Sequence, residues 1–138
     1  MGLFDALDVS ASGLAAERTR MDVTAENLAN ARTTRSADGG AYRRKAVVLS
    51  NDASGDFGQA LAGARVRVTG IVQDSSPPKL EYDPGNPDAN DAGYVSMPNV
   101  DTVAEMVDLI TEQRAYEADT TAMQAAKSMF ARTLDILR

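Results

Sequence analysis

Cysteine, histidine and tryptophan are all absent from the 138 residues, and three phenylalanines and four tyrosines supply the only aromatic bulk. Without thiols there are no disulfide staples and no thiolate nucleophile, and without imidazole the usual near-neutral acid-base group and the usual transition-metal ligands are missing. Basic residues are the minority, 14 against 20 acidic, and the resulting net charge of −6 opposes association with nucleic acid or anionic lipid. No window approaches the ~18 unbroken apolar residues of a membrane span, so no direct membrane insertion is expected. The first twenty residues interleave Asp5, Asp8 and Glu17 with their apolar positions, which is unlike a cleavable secretory signal.

Carboxylates are what remains of the chemical repertoire, and their placement is unpromising for catalysis. Residues 83–91 hold three aspartates and two asparagines, a set of oxygen donors that suits calcium, but the spacing is not that of an EF-hand and no glutamate closes it. Pro84 and Pro87 make a turn-rich linker the better reading. Gly39 and Gly40 precede a strand and lack the following lysine and hydroxyl of a phosphate loop. No catalytic residue, metal ligand or cofactor site is assigned.

What is present is long helical pattern at both ends. Residues 3–31 contain no proline and a single glycine and are rich in alanine, leucine, glutamate and arginine, predicting a helix closed by Asn27 and Asn30 in the left-handed conformation asparagine tolerates. Residues 102–138 lack both proline and glycine, and Thr102 with Glu105 matches a capping box, predicting a second helix of about 55 Å at ~1.5 Å per residue. Between them, residues 42–49 and 65–73 read as half-buried strands joined by residues 51–63, residues 79–82 as a short strand, and residues 33–40 and 83–93 as loops.

Apolar residues recur every seven positions in both helices. Leu7, Leu14, Met21 and Leu28 rule the first, and Leu109, Tyr116, Met123, Phe130 and Leu137 the second. A seven-residue period keeps its seam facing a partner only when helices wind around each other, so the two ends are expected to pair. The expected fold is α+β: an antiparallel coiled-coil hairpin of residues 1–32 and 99–138, with a small β-rich segment and ordered loop, residues 33–98, inserted between. Arg18, Gln113, Thr120 and Lys127 interrupt the flanking rows, leaving a thin seam for the ordering of more than sixty residues. The helices are therefore expected to need support from neighbouring copies, with the exposed Gln113, Arg114 and Glu117 as contact candidates. Arg43, Arg44 and Lys45, with Arg65 and Arg67, form a basic cluster that suits an acidic protein surface, and the first three are further contact candidates.

Three segments together resemble a known family. SASGLAAERTRMDVTAENLANARTT at residues 10–34, YDPGNPDANDAGYVSMPNVD at 82–101 and VAEMVDLITEQRAYEAD at 103–119 are similar to the rod proteins of the bacterial flagellar basal body, most closely those of the proximal rod. Asn86 and Asp119 depart from that pattern, which has histidine and asparagine there. The resemblance implies helices forming the inner layer of a helical tube with the β segment outside, torque transmission, and a lining for the protein export channel. Implied partners are further copies, other proximal- and distal-rod subunits, the adaptor between rod and MS ring, and the flagellar type III export apparatus. Implied location is the rod in the periplasmic space, reached without a cleavable signal peptide. The alternative is a self-contained helical-hairpin binding module that does not polymerise.

Overall fold

A computed structural model describes residues 3–37, 39–51 and 65–136. Helix α1 spans Leu3–Ala29, strands β1 to β4 span Lys45–Asn51, Val66–Gln73, Lys79–Tyr82 and Tyr94–Met97, and helix α2 spans Thr102–Ile136. The two helices pack against each other as an antiparallel hairpin and the strands lie in the chain between them, the α+β arrangement the sequence predicts. Leu137 and most of the predicted connection over residues 51–63 lie outside the described residues.

The strands form two separate antiparallel ribbons. β1 pairs with β2 from Lys45 opposite Gln73 to Asn51 opposite Val66, with a register shift between Val48 and Leu49. β3 pairs with β4 from Lys79 opposite Met97 to Tyr82 opposite Tyr94. Residues 94–97 carry no strand expectation from the sequence, because their alternation is only four residues long, too short to separate from the surrounding turn pattern. The turn between β3 and β4 holds the aspartates and asparagines of residues 83–91. Asp83 Oδ1 accepts from Gly85 N, Asn86 Oδ1 from Asp88 N, and Asn90 Oδ1 from both Ala92 N and Tyr94 N. Asp83, Asn86 and Asn90 are thus spent on their own backbone, the usual work of such residues in turns, whereas Asp88 accepts from Thr34 Oγ1 and pairs with Arg35. Gly93 stands at φ 82°, and a Cβ there would come within 2.9 Å of the Tyr82 ring, which packs edge-on against Tyr94.

Both helix ends differ in detail from expectation. No described non-glycine residue has positive φ, so neither Asn27 nor Asn30 is left-handed. Asn30 closes α1 through its side chain instead: Nδ2 donates to the Glu26 carbonyl at 2.9 Å, and Oδ1 accepts from Thr33 Oγ1. Asn27 lies a turn too early to do this. At the start of α2 the cap is Asp101, not Thr102, because Asp101 Oδ1 accepts from Val103 N and Ala104 N. Those bonds hold its carboxyl below the usual aspartate range. Glu105 is turned inward and takes no part in capping.

The core is thin and mixed. Ala16, Val23, Tyr42, Val95, Val100 and Ala126 are buried, and so are Thr24, Asn27, Glu105 and Glu112. Burying polar groups is tolerable only where they find partners. Those partners lie on the facing helix, on β1 and in the segment just before it.

Candidate functional site

The contact face between α1 and α2 is built on a second seven-residue row that is polar. On α2 it runs Glu105, Glu112, Asp119 and then Ala126; on α1 it runs Gly13, Arg20, Asn27. Because the helices are antiparallel the rows meet in reverse order, Asn27 with Glu105, Arg20 with Glu112 and Gly13 with Asp119. Sequence reading passes over such a row, since a seam is sought among apolar residues; the signal was the shared spacing of seven.

Asn27, 1 % exposed, is the most heavily bonded side chain of the face. Its Oδ1 accepts from Tyr42 Oη at 2.9 Å and from Lys45 N at 2.9 Å; its Nδ2 donates to Lys45 O at 2.8 Å and to Glu105 Oε2 at 2.9 Å. Two acceptor sites and two donor hydrogens are the whole capacity of a primary amide, and all four are used. By bonding both backbone groups of Lys45, Asn27 acts as the missing strand neighbour on the outer edge of β1. It joins α1, β1 and α2 at one point.

Glu105 completes this junction. Its second oxygen, Oε1, accepts from Arg44 Nε at 2.6 Å, and the carboxylate is 1 % exposed. The bond to Glu105, together with Asp108 at 3.7 Å, holds the Arg44 guanidinium protonated more firmly than an isolated one, against the opposing effect of burial. Arg44 is fixed from behind as well: its N–H donates to Asn99 Oδ1 and its carbonyl accepts from Asp74 N. Beside it, Lys45 Nζ pairs with Glu26 at 2.6 Å and lies 5.7 Å from the Tyr42 ring centre. Burial and the neighbouring Glu26 push the Tyr42 hydroxyl above its ordinary value.

One turn pair further along, Glu112 Oε1 accepts from Thr24 Oγ1 at 3.1 Å and lies 3.5 Å from Arg20 Nε, while Oε2 has no hydrogen-bond partner among the described residues. Desolvation raises the carboxyl above the ordinary 4.5, with Thr24 and Arg20 pulling the other way. Arg20 is shared with Glu17 at 3.0 Å. At the far rung a Cβ on Gly13 would come within 2.8 Å of Asp119 Oδ2. Glycine there leaves the room that the Asp119 carboxylate occupies.

The structure places the residues singled out by sequence as follows. Leu7, Leu14, Met21, Leu28, Leu109 and Met123 are half-buried and flank the polar row, whereas Tyr116 and Phe130 are 36 % and 38 % exposed. Gln113, Arg114 and Glu117 are exposed, with Gln113 Nε2 donating to Glu117 Oε1 at 3.3 Å. Arg43 is exposed on the β1 approach. Arg44 and Lys45 do not join it in an outward basic cluster, because buried or neighbouring carboxylates on α1 and α2 draw them inward. Arg65, likewise, is paired with Asp8 of α1 at 2.6 Å.

Outside this face α2 carries a further apolar strip. Val103, Met106, Val107 and Ile110 stand at helical spacing and are each more than half exposed, as are Met129 and Leu134 lower down. No cluster of potential metal ligands and no helix long and apolar enough to cross a membrane occurs among the described residues.

Comparison with known proteins follows these two ends of the chain. Residues 7–35 match the family described as flagella basal body rod protein, and residues 91–136 match the flagellar basal body rod FlgEFG protein C-terminal family. Proteins named flagellar basal-body rod protein FlgC are similar along the full length. The one from Bacillus subtilis is 46 % identical, covering 99 % of both chains. That of Salmonella typhimurium is 43 % identical over 99 % of this chain and 98 % of its own. That of Borreliella burgdorferi is 42 % identical over 100 % of this chain and 99 % of its own. Identity at this level over nearly complete chains, with both helices of the hairpin inside matched regions, places the protein in the flagellar basal-body rod family.

Proposed function

We propose that the chain is a structural subunit of the proximal rod of the bacterial flagellar basal body. It assembles head-to-tail with copies of itself and other rod subunits, transmits motor torque and lines the channel for exported proteins. The paired helices, residues 1–32 and 99–138, are the inner layer, and residues 33–98 lie outside. Rod-to-MS-ring adaptor and type III export apparatus are its further partners, and it reaches the periplasmic space through that apparatus. It catalyses no reaction.

The observation that carries this reading is the exposed strip of Val103, Met106, Val107 and Ile110 on a helix whose other face is already paired. Fully burying one such side chain contributes ~1.5–3 kcal/mol, so covering four that are half exposed supplies several kcal/mol to a contact between copies. A contact between two different faces of one chain extends as a filament. Gln113, Arg114 and Glu117 continue the outward side of α2 and are the polar contacts of that interface, with Arg43 the outward cation of the β region. The test is a motility complementation with Val107→Asp and Ile110→Asp, both at exposed positions that leave the hairpin intact. Loss of swimming and of rod incorporation, with unchanged helicity of the purified chain, is expected. Wild-type swimming by both variants contradicts the reading.

A further inference from the structure

The apolar rows of the two helices cannot by themselves decide which helix pairs with which. Leu7, Leu14, Met21 and Leu28 offer the same chemistry and the same spacing as Leu109, Met123 and their neighbours. A seam of that kind accepts α1 against α2, α2 against another copy's α2, or α1 against α1. The polar row is not so permissive. On α2 it carries three acids, Glu105, Glu112 and Asp119; on α1 the facing positions are Asn27, Arg20 with Thr24, and Gly13, none of them acidic.

We propose that this row selects the partner: Glu112 and Asp119, with Glu105, admit α1 and reject the α2 of a sister copy. Two α2 helices meeting antiparallel through this face would set Glu112 against Glu112 and Glu105 against Asp119. Meeting parallel, they would set each acid against its own counterpart. Either way like charges are driven into a contact where Glu105 and Glu112 are already more than nine-tenths buried, and where repulsion is poorly screened. Pairing with α1 supplies a donor amide at Glu105, a hydroxyl and a guanidinium at Glu112, and a glycine without a side chain to crowd Asp119. Two α1 helices paired in the same way would bring Arg20 against Arg20. Specificity therefore comes from what each wrong pair buries uncompensated, at some cost to the right one, where Glu112 Oε2 finds no hydrogen-bond partner among the described residues. The inference concerns which helices pair, in a single chain or between copies, and stands independently of the rod reading.

The absence of cysteine makes a direct test possible. A single Ala118→Cys probe, at an exposed position next to Asp119, is placed in the full chain with and without Glu112→Leu and Asp119→Ala. Self-association is followed by sedimentation equilibrium, and proximity of α2 to α2 by a short bis-maleimide that can only join copies. Removing the two acids is expected to tighten self-association at least tenfold, about 1.4 kcal/mol, with crosslinked dimers appearing through the probe while circular dichroism shows the helices retained. If that variant loses its helicity, the shape-preserving pair Glu112→Gln and Asp119→Asn takes its place and is expected to crosslink more than the parent. Folded variants that self-associate and crosslink no more than the parent overturn the proposal, and so does tighter association without α2 crosslinks.

Discussion

Replacing Asn27 by alanine removes, in one step, the four hydrogen bonds by which this side chain ties α1 to Tyr42, β1 and α2 at the closed end of the hairpin. Four partners are stranded: the Tyr42 hydroxyl, the Lys45 N–H and C=O, and Glu105 Oε2. Tyr42 and Glu105 are buried and cannot turn to water, while Lys45 is half-buried and recovers part of its loss. An unsatisfied buried group costs ~1–3 kcal/mol, more when charged, so the expected total is about 3–5 kcal/mol. Against the ~5–15 kcal/mol that stabilises an ordinary domain, this is a large fraction. In urea, with a slope of ~1–3 kcal/mol per molar, the unfolding midpoint should fall by about 2 M, read by far-ultraviolet circular dichroism. Asn27→Asp sharpens the test, because it keeps the two accepting bonds and replaces the two donated ones with an acceptor facing Glu105 and the Lys45 carbonyl. That variant should be destabilised at neutral pH and partly recover on acidification, when the introduced carboxyl gains a proton to donate. A midpoint shift below ~0.5 M for Asn27→Ala at unchanged slope would refute the idea that this amide is the junction of the fold.

Other consequences are as concrete. Glu112 has a folded-state pKa raised above 4.5, so the folded state binds more protons than the unfolded chain and stability declines as pH rises from about 4.5 through the folded value. Glu112→Gln, which still accepts from Thr24, should flatten that decline, and pH-dependent thermal melts of the two proteins should converge at acid pH; parallel curves would show that Glu112 is not the group concerned. Gly13→Ala should be close to neutral, helix propensity gaining ~0.8–1 kcal/mol while the Cβ displaces the Asp119 carboxylate. In an Asp119→Ala background the same change should show the gain alone, by urea titration. Asp101→Ala should lower the melting temperature by fraying the start of α2, and Asp101→Asn should restore it, since both caps accept the Val103 and Ala104 N–H groups. The aspartate cap's contribution is present above pH 3.8 and lost as pH falls through its lowered folded value.

Periodicity made the architecture legible: both helices, their pairing and three of the four strands follow from spacing, proline and glycine alone. β4 escaped because its four alternating residues sit among turn formers. The contact face was half legible. Its apolar rows stand out in sequence, but Glu105, Glu112 and Asp119 share their period and carry charge, and charge at a seam position reads as interruption until a partner is seen. Asn27 and Glu105 resembled capping residues because both types cap helices; only the fold brings Tyr42, Arg44 and Lys45 to them. The same proximity turned Arg44 and Lys45 inward from the basic cluster their sequence suggested.

The measurement that bears most directly on the account is a pair of spin labels at Ala11 and Thr121, exposed positions two residues beyond the Gly13–Asp119 rung, in a chain that has no cysteine of its own. Paired helix axes lie ~8–10 Å apart, so in purified basal bodies the labels should report a narrow distance on the order of 10–20 Å. A broad distribution, or a separation beyond about 40 Å in assembled rods, would contradict the pairing of α1 with α2 on which every other inference rests.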